Sequence, residues 1–446
     1  MSSTEISADP HAGTLRSPRF WLVPVVVVTA VMAALAALYI GSMINPADNL
    51  HKFPVAIVNQ DVGDVLPGSD QQRNLGAEIT AAIADGVDPE EIDLQQVGIS
   101  AATSGLDSGR LYGAIVIPSD FTKRTSILAQ GSVIPGDIEK PIITVYTNPR
   151  TGTFGKGIVE SIADRALTTV NTTVGEQLTT TVTDTLATSA PDLQLSGGSR
   201  LVLADPIDIR FVEHKPLPDG TGLGLSAFYY TLLLILAGFT GATIVNSLVD
   251  SALGFVPTEY GPWYVDRKTA HLSRFRVLLV KWAIMVILAL IVSALYLWIA
   301  TLLGMPVTRA LLLWEYGALA ITAVGVTSIS VMAVFGSAGL LVNLLIFIIL
   351  GLPSSGGTVP LEAMPPLYSW LSTFEPMHQV YIATRAILYF DGSGPAGLTR
   401  GALMTLLGLG IGLVLGGVVT RIYDVRGFHR RSDAEPAPVP SALASA

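Results

Sequence analysis

Five stretches of this sequence contain no Asp, Glu, Lys or Arg: residues 20–47, 220–249, 282–308, 316–361 and 401–420. A helix needs about 20 apolar residues to cross the hydrocarbon core of a bilayer. A charge at mid-bilayer costs about 2.5–3.5 kcal/mol on insertion scales, so runs of this kind are what burial in lipid requires. Four of the runs fit one span each, and 316–361 fits two. The expectation is a polytopic α-helical membrane protein with six transmembrane helices, at about 20–43, 224–248, 279–303, 312–334, 338–353 and 401–420. Composition agrees. Half of the 446 residues are apolar and 14% are charged, against about 25% charged in a soluble domain, and the mean hydropathy is +0.54. A disordered chain is excluded and an ordinary cytosolic enzyme disfavoured. The lack of cysteine excludes disulfides, thiolate metal sites, iron–sulfur clusters and a Cys nucleophile.

Basic residues set the expected orientation through the positive-inside rule. Arg16 and Arg19 precede the first span. Arg267, Lys268, Arg274, Arg276 and Lys281 lie between the second and third, and Arg421, Arg426, Arg430 and Arg431 follow the sixth. With six spans all three segments fall on one side, the cytoplasmic one. The outer connections carry only Arg309, Arg385 and Arg400. Ala34-Leu35-Ala36 looks like a signal-peptidase site, but the apolar run around it exceeds the roughly 7–15 residues of a signal core. It therefore reads as an uncleaved anchor. The Pro-, Ala- and Ser-rich stretch from Ser432 reads as a disordered tail.

The expected plan is a cytoplasmic tail (1–19), a span (20–43), an α/β extracytoplasmic domain (44–222), a five-helix membrane domain (223–420) and a second cytoplasmic tail (421–446). The net charge of −9 is therefore unevenly shared, since the inserted domain has 23 acidic and 12 basic residues. In it, strand-like runs at 53–59, 95–99, 112–117, 142–146 and 207–212 alternate with helical ones at 72–85, 100–109, from an N-cap at Ser119, and at 154–190. Such alternation indicates an α/β domain inserted between the first and second helices.

The search for chemistry finds no catalytic constellation, no metal site and no cofactor. The histidines (11, 51, 214, 271, 378 and 429) are scattered, and no Gly-x-Ser-x-Gly elbow is present. Residues 151–157 resemble a phosphate loop, but Arg150 stands where the first Gly belongs and Gly157 where Ser or Thr belongs. A loop entering a long helix is the plainer reading. Asn171-Thr172-Thr173 matches a glycosylation sequon that chance readily produces. Asp250, Lys281 and Glu315 sit at span ends, within reach of water or headgroups. An intramembrane carboxylate of the kind coupled carriers use is therefore not expected. In the last span Gly408, Gly412 and Gly416 recur at four-residue spacing, a face for close helix approach within the chain or across a dimer.

Three stretches together resemble the YhgE/Pip (phage infection protein) family, a group with ABC type-2 permease-like character. The first is Phe53-Pro54-Val55-Ala56-Ile57-Val58-Asn59-Gln60-Asp61-Val62-Gly63. The second is Leu111-Tyr112-Gly113-Ala114-Ile115-Val116-Ile117-Pro118-Ser119-Asp120-Phe121. The third joins Ser354-Ser355-Gly356-Gly357-Thr358-Val359-Pro360 to Met364-Pro365-Pro366-Leu367-Tyr368 and Glu375-Pro376-Met377-His378. Ala383-Thr384-Arg385-Ala386-Ile387-Leu388 is similar to the ABC type-2 pattern, where an outer amphipathic segment precedes the final helix. The resemblance implies a plasma-membrane permease subunit, usually a homodimer, that exports a hydrophobic or amphipathic substrate with energy from a separate ATPase subunit. Its alternative is a non-transporting surface or secretion scaffold, phage-receptor-like, with an envelope-protein or glycolipid partner at the outer domain. Neither calls for a nucleic acid.

Two segments then stand out. Tyr260, Trp263, Tyr264, Arg267 and Lys268 lie in the inner loop, where ABC type-2 permeases carry a coupling helix. The alternative is an interfacial anchor of aromatics and Arg. Outside, Trp370, Phe374, Glu375, His378 and Arg385 flank a segment broken by Pro360, Pro365, Pro366 and Pro376. It reads either as a re-entrant helix closing an outer gate or as an amphipathic helix on the headgroups. Glu375 and Arg385 are close enough in sequence to pair.

Overall fold

The computed structural model describes residues 17–65, 72–132, 139–189, 195–265 and 267–428. Arg16, His11, His429, Arg430, Arg431 and the tail from Ser432 lie outside the described residues.

Strand β1 (Phe53–Asn59) is the middle of the α/β domain, buried on both faces. It pairs in parallel with β4 (Ile92–Gln96) and β5 (Gly113–Ile117), in the register Val55–Leu94 and Val55–Gly113. Strand β6 (Ile142–Thr147) runs antiparallel to β5, and β7 (Asp208–Glu213) parallel to β6, giving the order β4-β1-β5-β6-β7. A small antiparallel pair, β2 (Asp64–Val65) and β3 (Gln72–Arg73), stands beside it. β3 occupies the start of the segment expected as a helix, so α2 begins later, at Leu75–Gly86, capped by the Asn74 side chain.

Period-2 alternation divides the side chains of β1 between two cores. Phe53, Val55 and Ile57 face a large core with α2, α4 (Phe121–Gly131), α5 (Thr153–Ser189) and α6 (Gly197–Ala204). Ala56 and Val58 face a smaller one under α3 (Ile99–Asp107). The helix α4 starts at Phe121 after Asp120, not from a Ser119 cap.

The long α5 is helical despite its threonines for a local reason. Val159, Ala163, Leu167, Val170, Val174, Leu178 and Val182 recur every three or four residues and are buried. The exposed threonines, among them Thr169, Thr172, Thr180 and Thr185, turn their hydroxyls to the carbonyl four residues back. The sequon residue Asn171 is buried and structural. Its amide donates to Asp205, and its carbonyl accepts from the Ile207 backbone at 2.9 Å. At 151–157 the chain turns through Gly152 (φ 113°) into α5, and Lys156 is paired with Glu213 at 2.5 Å.

Among the described residues, five helices are long and apolar enough to cross a membrane: α1 (Pro18–Gly41), α7 (Leu225–Ala252), α8 (Arg274–Leu302), α9 (Ala310–Phe335) and α13 with its lead-in (Gly394–Val425). The stretch expected to make a further span at 338–353 is shorter. It is α10 (Ala338–Leu344) followed by a π-helical turn to Leu350. At about 1.5 Å per residue it covers roughly 20 Å, against about 30 Å of hydrocarbon. It folds back on α9 through Gly336 (φ 61°), and the Asn343 amide donates to the Ser328 carbonyl at 3.0 Å.

Helix α9 is the axis of the helical part, packed by α7, α8 and α13. The close approach of α13 uses two of the three spaced glycines. A Cβ on Gly412 would stand 2.8 Å from the Thr327 Cα, and one on Gly416 2.8 Å from the Ser330 Cβ. A Cβ on Gly408 would meet nothing within 4 Å, although the Gly408 carbonyl accepts from Thr327 Oγ1 at 3.3 Å. Helix α1 has no buried residue and is tied to the rest near its end, where Tyr368 Oη donates to the Leu38 carbonyl at 2.8 Å.

The span ends overturn one expectation. Lys281 and Asp250 do not reach water. They are 2% and 7% exposed, and Lys281 Nζ donates to Asp250 Oδ1 and Asn246 Oδ1, each at 2.7 Å. Glu259-Tyr260-Gly261-Pro262-Trp263-Tyr264 forms a β-hairpin, β8 (Thr258–Tyr260) with β9 (Trp263–Val265), turning at Gly261 (φ 60°). Among the described residues of 260–273 no helix is present, so the coupling helix expected there is replaced by a hairpin. A Gly-Pro turn between β-prone residues accounts for the change.

Candidate functional site

Between α13 and the end of α10, the chain builds the surface on which the α/β domain rests. A short helix, α11 (Pro366–Ser372), precedes α12 (Pro376–Tyr389). Nearly every residue of α12 except Pro376 and Arg385 is buried, and the helix packs between α7 and α13. Its start is fixed by Glu375, whose carboxylate accepts from the His378 backbone N–H at 3.1 Å. His378 Nδ1 shares a hydrogen bond with the Ser355 carbonyl at 2.8 Å. Burial pushes the Glu375 carboxyl up to about 8 against those backbone bonds. Burial, with the charges of Arg385 and Arg400, pushes His378 down to about 4. At neutral pH both groups are therefore mostly uncharged.

The α/β domain docks on this surface through polar contacts. Tyr112 Oη donates to Glu362 Oε2 at 2.9 Å, and the His51 backbone N–H donates to the Glu362 carbonyl at 2.8 Å. His51 Nε2 and Ser369 Oγ are 3.0 Å apart. Burial and the Glu362 charge hold the Tyr112 hydroxyl well above its usual value, so it stays a donor. Gly109 sits against the Phe390 ring, where an added Cβ would stand 2.9 Å away.

Within this joint lies a cavity of about 1070 Å³. Its walls come from four separated stretches: 51–54, 108–112, 356–385 and 394–404. Exposed Arg110, Thr373, Arg400 and Leu403 stand at its rim. Leu403 continues the exposed apolar face of α13, with Leu407, Ile411 and Val414. One side of the cavity is thus polar protein, and its edge is a lipid-type surface.

The residues expected at an outer gate divide between two places. His378 and Arg385 line the cavity, and Glu375 is buried behind it. Trp370 and Phe374 are 62% and 52% exposed, edge to face at 4.9 Å, and do not line it. Along α11, Tyr368 and Leu371 are buried whereas Leu367 and Trp370 are exposed. Glu375 and Arg385 form no pair, because the carboxylate caps its own helix. Arg385 lies over the rings of Tyr381 and Phe390, at 5.5 and 5.8 Å. At the far end of the helices, Trp263, Tyr264, Arg267 and Lys268 are exposed on and beside the hairpin, with Tyr260 closing β8.

Two further cavities meet along the α/β domain. One, of about 610 Å³, is largely apolar and lies beside the helix ends at Leu223 and Leu225. The other, of about 650 Å³, runs between α2 and α5 past Leu75, Ile79 and Ile83. They share Ala47, Leu50, Ile162 and Arg165.

The chain belongs to the family described as protein of unknown function (DUF3533), which it matches over residues 24–411. The match takes in most of α1, the whole α/β domain and the helical part into α13, so the two halves form one family unit. Neither the curated proteins nor the solved structures give a match.

Proposed function

We propose that this chain is an ABC type-2-like permease subunit that passes an amphipathic substrate outward across a bacterial plasma membrane, driven by a separate ATPase. The observation that carries the reading is the joint cavity. It is lined by charged and hydroxyl side chains among apolar ones, edged by the lipid-type face of α13, and covered by a domain that itself holds apolar grooves. A polar pocket beside an apolar face is what a molecule with a head and a tail requires. In this reading both termini and the hairpin are cytoplasmic and the α/β domain is outside. Residues 338–350 and the largely buried loop 351–360 together make the sixth crossing. Irregular backbone at membrane depth is tolerated where protein covers it, and most of 351–360 is buried. The YhgE/Pip likeness, a homodimer and an ATPase contact at Trp263, Tyr264, Arg267 and Lys268 belong to the same proposal.

One observation favours the second reading, a non-transporting scaffold with an envelope-protein or glycolipid partner: a hairpin stands where a coupling helix was expected. The test is purification of the full chain from its own membranes in gentle detergent, followed by mass spectrometry. Recovery of an ATPase that is lost from R267E/K268E supports the permease. Recovery of envelope proteins alone, unchanged in that variant, supports the scaffold and contradicts the permease.

A further inference from the structure

The joint cavity is unbalanced in charge as well as amphipathic. Its walls carry Lys52, Arg110, Arg385 and Arg400 against a single carboxylate, Glu362. Glu362 is engaged by the Tyr112 hydroxyl, and Lys52 by Glu90 at 2.9 Å. Among the described residues the three arginines form no salt bridge. Arg385 Nε is buried and has no hydrogen-bond partner. Its guanidinium carbon lies over the rings of Tyr381 and Phe390, at 5.5 and 5.8 Å, while the side chain lines the cavity. His378 adds no compensating negative charge and, being mostly neutral, no positive one.

We propose that Arg110, Arg385 and Arg400 bind an anionic head group, of the phosphate class, in this cavity. A cationic ligand would meet three arginines, and an uncharged one would leave their charges unbalanced. Guanidinium edges match tetrahedral oxyanions, which accept paired N–H bonds. Leu403, three residues after Arg400 and 61% exposed, gives a chain attached to that head a direct way into lipid. The inference rests on the amphiphile reading of the site and names its chemical class. The same chemistry suits a free phosphate, and the test separates the two sources.

The full chain in neutral detergent is titrated with dodecyl phosphate, inorganic phosphate and uncharged dodecyl maltoside, with binding read by native mass spectrometry. The variants are R110Q/R400Q, which changes only exposed side chains, and R385K, which keeps the charge but loses the planar fork. The expected result is saturable binding of dodecyl phosphate, at least tenfold weaker in R110Q/R400Q and weakened in R385K. Weak binding of inorganic phosphate then identifies a lipid head. Equally tight, variant-sensitive binding of inorganic phosphate supports the anion site with a soluble occupant. Equal binding of dodecyl phosphate and dodecyl maltoside, unchanged in both variants, overturns the anion assignment and leaves the amphiphile reading standing. Failure of both to bind overturns the two together.

Discussion

Substituting Lys281→Met probes an ion pair buried between the long helices α7 and α8. Lys281 Nζ is 2.7 Å from Asp250 Oδ1 and 2.7 Å from Asn246 Oδ1, and both charged residues are almost fully buried. Removing the lysine takes away the cation 2.7 Å from Asp250, and the loss of one partner of a buried pair costs about 3–5 kcal/mol. Replacing both residues in K281M/D250L removes both charges and recovers most of that loss, because apolar replacement of a whole buried pair is often neutral. The double-mutant coupling should therefore reach about 3 kcal/mol. Ordinary interhelical hydrogen bonds average about 0.6 and reach about 1.7 kcal/mol, so a coupling above that ceiling identifies an ion pair rather than a polar contact. Unfolding by SDS titration in mixed micelles, followed by circular dichroism for the four proteins, gives the cycle. Two single variants that each lose under about 1 kcal/mol and add in the double would refute a buried, charged pair.

Other outcomes follow from the same geometry. Gly412→Leu should abolish monodisperse elution in detergent, because its Cβ would press on the Thr327 backbone, whereas Gly408→Leu should elute as the parent does. Tyr112→Phe removes the donor to Glu362 and should destabilise the joint by about 1.5–3 kcal/mol, read as faster protease cleavage near residue 362. Asp107 accepts from Lys215 at 2.5 Å and His214 at 2.8 Å. Burial raises its carboxyl, but these bonds outweigh burial and hold it below the usual range. With the folded value depressed, the clasp between α3 and the end of β7 is present above the unfolded value near 4 and is lost as pH falls through the folded value. The acid arm of a pH–melting curve should therefore flatten in D107N.

What could be read from the sequence was what local periodicity encodes. Alternating Val and Ile marked β1, β5 and β6, and charge-free runs marked the long helices within a few residues. Hydropathy counts apolar residues but not the length of helix they form, so 338–353 looked like a full helical span. Its helix instead stops at Leu350, and a largely buried non-helical loop follows. Lys281 and Asp250 were misjudged because position at a run's end says nothing of a partner 31 residues away. The Gly261-Pro262 turn was a signal for the hairpin. The joint cavity had none, because its four wall segments meet only in the fold. Arg385 and His378 were singled out as polar groups beside an expected outer gate, whereas Arg110 and Tyr112 are ordinary residues of the α/β domain until it docks.

An amphiphile bound in the joint between the α/β domain and the helices is the centre of the proposed function. Its most direct test is a photo-crosslinking residue at position 108, on the cavity wall within the α/β domain, with a control at the exposed position 127 of α4. After illumination of intact cells, mass spectrometry of the purified chain reads the adduct. Lipid-mass adducts at 108 and none at 127 are the predicted result. Protein adducts alone at 108, or lipid adducts equal at both positions, would contradict it.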